Sequence, residues 1–156
     1  MSTIIRDEDY TNNIQTRNEM RLSFSAISLN ESFARTAVAA FVTSLNPTVS
    51  EIMEIKTAVS EAVTNAIIHG YDNRGADKLV HLNCRLEKRE LYIEVVDDGI
   101  GIPDIAQAME PLYTSKPEQE RSGMGFAVME NFMDYINVTS APGLGTTVVM
   151  MKKLPL

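Results

Sequence analysis

The stretch from Thr48 to Gly70 constrains this chain more than any other. Thr48-x-x-Glu51 is a capping-box pattern, in which a hydroxyl and a carboxylate satisfy the first free N–H groups of a helix. Ile52, Ile55, Val59, Val63 and Ile67 then recur at three- and four-residue spacing, with Ala62 and Ala66 alongside. That stripe predicts a helix pressed along its length onto a second layer. Gly70 suits the position after the helix, where a left-handed conformation is needed. A second stripe, Glu54, Ala58, Glu61, Asn65 and then Ile68 or His69, sets polar groups beside small ones. Glu61 and Asn65 stand one turn apart and project from the same face. A carboxylate and a carboxamide so placed can hold a divalent metal and orient a proton acceptor; a solvated stripe would use the same residues.

Alternating segments supply the other layer. Met20, Leu22 and Phe24 alternate within Met20 to Ala26, a short strand. Lys78 to Leu86 alternates at Val80, Leu82, Cys84 and Leu86, and Leu91 to Val96 at Leu91, Ile93 and Val95. Glu87 to Glu90 makes a charged hairpin turn between them, so these strands are expected to pair antiparallel. Ile136 to Ser140 and Thr146 to Lys152 flank Pro142-Gly143-Leu144-Gly145 as the last two strands. A first helix is expected from an Asn30 cap to Leu45, burying Phe33, Ala37, Phe41 and Leu45 with Val38 and Val42 beside them; Asn46-Pro47 ends it. Short helices follow from Asp104 to about Glu110 and from Gly125 to about Asp134, the latter with Val128, Met129, Phe132 and Met133 inward. The architecture predicted is α/β (α+β): a two-layer sandwich with a mixed, mainly antiparallel sheet and helices on one face.

At 156 residues the chain reads as one domain over 17–156, preceded by a polar stretch over 1–16 taken as a disordered extension or leader. Hydrophobic content of 44% and charged content of 22% are those of a soluble globular protein, and no apolar run reaches membrane-spanning length. The single cysteine, Cys84, excludes an internal disulfide and reads as a small core residue, so a cytoplasmic setting fits. A net charge of −7 argues against nucleic acid as a direct partner. It leaves room for a nucleotide, whose phosphates can be held by backbone N–H groups and a metal.

Three further constellations are compatible with that. Asp97-x-Gly99-x-Gly101 closes a strand; it can be a plain turn, or a carboxylate that accepts from an exocyclic amino group such as adenine's while glycines let backbone approach the ring. Guanine carries a carbonyl there, so such an Asp97 would select against it. Gly123-x-Gly125 precedes a helix, a ready anion site, and lies behind a stretch from Pro111 to Ser122 that holds Thr114, Ser115, Lys116 and Arg121. That stretch is read as a mobile surface loop and phosphate lid, although a glycine-rich helix start with solvated bases would look the same. Gly145-Thr146-Thr147 opens the last strand, where a hydroxyl can second Asp97. Phosphate-loop, dinucleotide and eukaryotic protein-kinase signatures are all missing. His81 reads as a strand-surface residue, too differently placed from His69 for a metal pair.

The order of these motifs resembles the ATP-binding (Bergerat-type) fold shared by gyrase, Hsp90, histidine kinases and MutL, the GHKL superfamily. Within it the chain is similar to the small serine kinases that restrain bacterial sigma factors, and most to the anti-sigma-F family. Asn18-Glu-Met20, Asn30-Glu-Ser-Phe-Ala-Arg35, Ser60-Glu-Ala-Val-Thr-Asn-Ala-Ile-Ile-His-Gly-Tyr71, Pro111-Leu112, Arg121-Ser-Gly-Met-Gly-Phe126 and Met129-Glu-Asn-Phe-Met-Asp134 carry that resemblance, from about Arg17 to the end. It implies ATP and Mg²⁺ as cofactors, with Asn65 on the metal and Glu61 as general base. It places Asp97, Gly99, Gly101 and Thr146 around adenine, and Thr114, Ser115, Lys116, Arg121, Ser122, Gly123, Met124 and Gly125 at the phosphates and their lid. Glu31 and Arg35 would contact protein partners: sigma factor F, and an anti-anti-sigma factor phosphorylated on serine. A homodimer is implied, with Met20, Leu22 and Phe24 as the expected contact. Tyr113 and Ser115 depart from the Phe and Thr expected there, and the loop from Asp72 to Lys78 diverges. A kinase of a different, stress-response sigma factor, and a binding module that uses ATP without transfer, are the alternative readings.

Overall fold

The structure, a computed structural model, describes residues 17–110 and 125–155. The elements are β1 (Asn18–Ala26), α1 (Leu29–Val42) with a 3₁₀ turn (Thr43–Leu45), α2 (Val49–Asn65), β2 (Gly75–Glu87), β3 (Glu90–Asp97), α3 (Ile105–Ala108), α4 (Gly125–Phe132), β4 (Tyr135–Ser140) and β5 (Thr146–Lys153). The strands form one sheet in the order β1-β2-β3-β5-β4. Every pairing in it is antiparallel, so the sheet is not mixed. Helices cover one face, onto which Val80, Leu82, Cys84 and Leu86 of β2 and Leu91, Ile93 and Val95 of β3 all point. Burial pushes the Cys84 thiol up to about 12, which keeps it inert and neutral in that core.

α2 is the centre of the helical layer, packed between α1 and α4. Its capping box forms in both directions: Glu51 N–H donates to Thr48 Oγ1 at 3.1 Å and Thr48 N–H to Glu51 Oε1 at 2.8 Å. Ile55, Val59, Val63 and Ile67 are buried as the spacing requires, and Ile52 partly so. The helix does not end at a left-handed glycine. It widens into a π turn over Ala66–Gly70, with Tyr71 N–H reaching the Ala66 carbonyl at 3.0 Å, and positive φ falls later, on Asp72 and Asn73. Such a π turn re-aims the side chains that follow it, which is why they are frequent at functional sites.

α1 differs from expectation in two ways. Its cap position is Ser28, and the Asn30 side chain instead donates back to the Ser25 carbonyl at 2.9 Å, tying the helix start to β1. Val38, Val42 and Leu45 are buried as expected and Phe41 packs partly against the core, but Ala34 takes the inward place expected of Phe33. Phe33 is 51% exposed and meets Phe24 only edge-on, with ring centroids 6.1 Å apart. Small Ala34 facing inward allows this close approach. On β1, Phe24 is buried, whereas Met20 and Leu22 pack against the same core and stay partly exposed.

Two long cations fasten the layers. Lys152, 8% exposed on β5, donates to the Phe132 carbonyl at the end of α4 (2.7 Å) and pairs with Glu54 of α2 (2.8 Å). It thereby holds the far ends of these antiparallel helices and fixes where their near ends meet. Arg89 sits in the β2–β3 hairpin, where it and Lys88 take positive φ, as a two-residue hairpin loop demands. Its guanidinium donates to the Leu154 carbonyl (2.8 Å) and the Leu45 carbonyl (2.9 Å), and its own carbonyl accepts from Leu154 N–H (2.9 Å). Arg89→Ala is expected to lower the unfolding free energy by about 2–3 kcal/mol in urea titrations, since two charge-assisted bonds to carbonyls are lost.

Candidate functional site

A cleft of about 310 Å³ opens where the end of α2 and its π turn face the ends of β3 and β5 and the first turn of α4. That is within the size range of small-ligand sites. Ala62, Ala66, Val95, Val148 and Phe126 give it an apolar floor, Asn65, Asp97 and Thr146 bring polar groups to that floor, and His69, Asp104, Gln107 and Glu110 add others along the lining. Ala62 and Ala66, small residues next to the polar stripe, form part of its floor.

Asp97 is 5% exposed. Its Oδ1 accepts from Gly99 N–H at 2.9 Å, and a second backbone bond comes from Thr146, its register partner on β5. Burial nevertheless dominates and raises its pKa from 3.8 to about 6, with Asp98 adding to the rise and the two backbone bonds opposing it. Gly70 explains how the carboxylate fits. A Cβ there would lie 2.7 Å from Asp97 Cγ, so the glycine is required for close approach rather than for its dihedrals. Gly99 is packed onto the Gly70 carbonyl and does not line the cleft, whereas Gly101 does, at φ +77°. Ile100 N–H donates to the Gly70 carbonyl at 3.0 Å, so the end of α2 and the turn after β3 satisfy each other.

Two hydroxyls that sequence reasoning missed hold this turn. Tyr71 Oη donates to the Leu79 carbonyl and accepts from Asp98 N–H, both at 2.7 Å. Burial raises its pKa, which keeps the phenol protonated for the first of those bonds. Ser140 Oγ accepts from Ile102 N–H (2.7 Å), donates to the Gly145 carbonyl (2.9 Å) and lies 3.0 Å from Thr146 Oγ1. Neither has a local sequence signal, because each acts on segments distant in the chain. His81 is a strand-surface residue as expected, 2.7 Å from Ser23 Oγ through Nδ1.

At the opposite end of the cleft, Glu61 and Asn65 converge on the start of α4. A Cβ placed on Gly125 would lie 3.1 Å from Glu61 Oε2 and 3.2 Å from Asn65 Nδ2. Asn65 Oδ1 is buried and has no hydrogen-bond partner among the described residues. Unsatisfied buried acceptors are uncommon, and one lining a cleft marks a place where a ligand or cation belongs. No cluster of three or more His, Cys, Asp or Glu occurs among the described residues, so a cation here would take its other ligands from a bound molecule and water. One amide oxygen in an all-oxygen shell suits Mg²⁺. Thr114, Ser115, Lys116, Arg121, Ser122, Gly123 and Met124, with the lid expected over Pro111 to Ser122, lie outside the described residues, as do 1–16. Glu31 and Arg35 form an i,i+4 ion pair at 3.1 Å on α1, partly exposed and away from the cleft lining.

Residues 26–152 match the family model of the histidine kinase-like ATPase domain. Anti-sigma F factors from Clostridium acetobutylicum (60% identical, covering 89% of this chain and 96% of the relative), Bacillus licheniformis (56%; 88% and 94%) and Bacillus subtilis (54%; 88% and 94%) are similar over nearly their whole length. The solved structure of the RsbU and RsbW domains of a Mycobacterium tuberculosis protein superposes with a TM-score of 0.64 at 18% identity, over 88% of this chain and 32% of that one, and shows the same fold. An antiparallel sheet under three packed helices, a cleft walled by Asp97, Asn65 and Thr146, and identities of this extent place the chain in the anti-sigma F factor family, on a histidine kinase-like ATPase domain.

Proposed function

We propose that this protein is an ATP- and Mg²⁺-dependent serine protein kinase that also sequesters sporulation sigma factor F and phosphorylates an anti-anti-sigma partner on serine. The orphaned Asn65 Oδ1, facing a cleft whose far wall is the buried Asp97, carries this reading. Asp97 would accept from the adenine amino group, Gly101 and Thr146 would flank the base, and Gly125 with the lid residues Lys116 and Gly123 would face the phosphates. Asn65 would hold Mg²⁺, which when bound neutralises charge between neighbouring phosphate oxygens. Glu61 would take the proton of the partner's serine hydroxyl as its oxygen bonds to the γ-phosphorus, the β–γ bridge breaks and ADP leaves. Glu31 and Arg35, partly exposed on α1, would meet the protein partners. Family membership supports a cytoplasmic homodimer as the working form.

Incubation with radiolabelled ATP, Mg²⁺ and a candidate anti-anti-sigma protein should place label on serine. Unlabelled partner under conditions where ATP binding is demonstrated would reject the kinase assignment and leave a binding module. Identification of the sigma factor retained from cell extract distinguishes sigma F from a stress-response sigma factor.

A further inference from the structure

We propose that Ser140 is a specificity-positioning residue: it fixes the proton of the Thr146 hydroxyl and so makes Thr146 an acceptor only, toward a base with an exocyclic amino group. This rests on the reading of the cleft as an adenine site. Ser140 Oγ has three neighbours in hydrogen-bond range, Ile102 N at 2.7 Å, the Gly145 carbonyl at 2.9 Å and Thr146 Oγ1 at 3.0 Å. An amide N–H can only donate and a carbonyl can only accept. The single Ser140 proton is therefore committed to Gly145, and the bond between the two hydroxyls must use the proton of Thr146.

Thr146 is 9% exposed, lines the cleft and is the register partner of Asp97, whereas Ser140 stands behind it, outside the lining. With its proton turned back toward Ser140, Thr146 offers the cleft only lone pairs. An ionised Asp97 also offers only lone pairs. Two adjacent acceptors match an amino group with two N–H donors and oppose a carbonyl oxygen. Removing the Ser140 hydroxyl frees the Thr146 proton to rotate into the cleft and donate to such a carbonyl. Discrimination thus depends on a residue that never touches the base.

The test is calorimetric titration of the full chain with Mg-ATP and Mg-GTP, for the unaltered protein and for Ser140→Ala, Ser140→Thr, Thr146→Val and the Ser140→Ala/Thr146→Val pair. Ser140→Ala should narrow the ATP-over-GTP preference by roughly tenfold, the worth of one buried hydrogen bond gained or left unmade. Ser140→Thr, which keeps the hydroxyl, should retain the original preference. In the Thr146→Val background Ser140→Ala should change the preference no further, because the hydroxyl through which it acts is gone. Equal weakening of both nucleotides by Ser140→Ala would reduce Ser140 to a loop brace and overturn the proposal. So would a Ser140→Thr preference as relaxed as that of Ser140→Ala, or the same tenfold effect without Thr146. Absence of any ATP preference in the unaltered protein is a separate outcome, and refutes the adenine-site reading itself.

Discussion

Glu61→Gln is expected to leave Mg-ATP affinity within about twofold of the unaltered protein and to lower the proposed phosphoryl transfer to serine by about 10²–10⁴-fold, the usual contribution of a positioned general base. The separation follows from where the two polar residues of α2 stand. Asn65 lines the cleft and carries the unsatisfied buried oxygen; Glu61, one turn earlier, does not line it and points its carboxylate at the start of α4. Glutamine is isosteric with glutamate and can keep hydrogen bonds that the carboxylate accepts, but it cannot take up a proton. Asn65→Ala should show the opposite pattern, with Mg-ATP affinity reduced at least tenfold and little transfer at ATP concentrations that saturate the unaltered protein. Equilibrium titration and single-turnover phosphorylation of the partner separate the two effects. If both substitutions weaken binding equally, the roles are wrongly divided. If Glu61→Gln transfers at full rate, the proton goes elsewhere.

The same geometry shows which parts of the site the sequence could reveal. Every strand and helix is local in origin: alternation at Val80 to Leu86 and Leu91 to Val95, and the capping box with its apolar stripe on α2, are short-range patterns that burial then satisfies. That α1 turns Ala34 inward rather than Phe33 is not legible, because both positions are apolar. The choice between them lies in how closely α1 can approach its neighbours, and small Ala34 permits a tighter contact than a phenylalanine. Asp97 and the Glu61–Asn65 pair could be found because their side chains contradict an otherwise apolar setting. Gly70 is conspicuous in the sequence as a helix end, but the reason for it is not, since its constraint comes from a carboxylate 27 residues further on. Ser140 and Tyr71 could not be found at all. Each is a common strand or loop residue whose importance is created by three segments meeting at one oxygen.

Asp97→Asn should make the nucleotide-free protein more stable at neutral pH while costing it adenine. Burial moves the Asp97 carboxyl from 3.8 to about 6, and each unit is worth 1.36 kcal/mol. The ionised side chain thus destabilises the empty fold by about 3 kcal/mol at pH 7. A carboxyl whose folded pKa is raised contributes stability that is complete below its unfolded pKa and lost as pH rises through the folded one. For Asp97 the window runs from about pH 4 to about pH 6, with the full cost present above it. Asparagine is similar in shape, can accept from Gly99 N–H and cannot ionise. Urea titrations should therefore find Asp97→Asn more stable by up to about 3 kcal/mol at pH 7.5, with the gain shrinking toward zero near pH 4. Binding should move the other way, with ATP affinity falling about 10–100-fold as a charge-assisted bond to the adenine amino group becomes a neutral one. In the unaltered protein the affinity should also fall as pH drops below about 6, and Asp97→Asn should lack that titration, which separates it from protonation of the nucleotide itself. A destabilised Asp97→Asn protein at pH 7.5 would mean that the backbone bonds outweigh desolvation. The expected signs describe a carboxylate kept in an apolar wall at the expense of the empty fold, a trade-off that makes sense only where the cleft is meant to be filled.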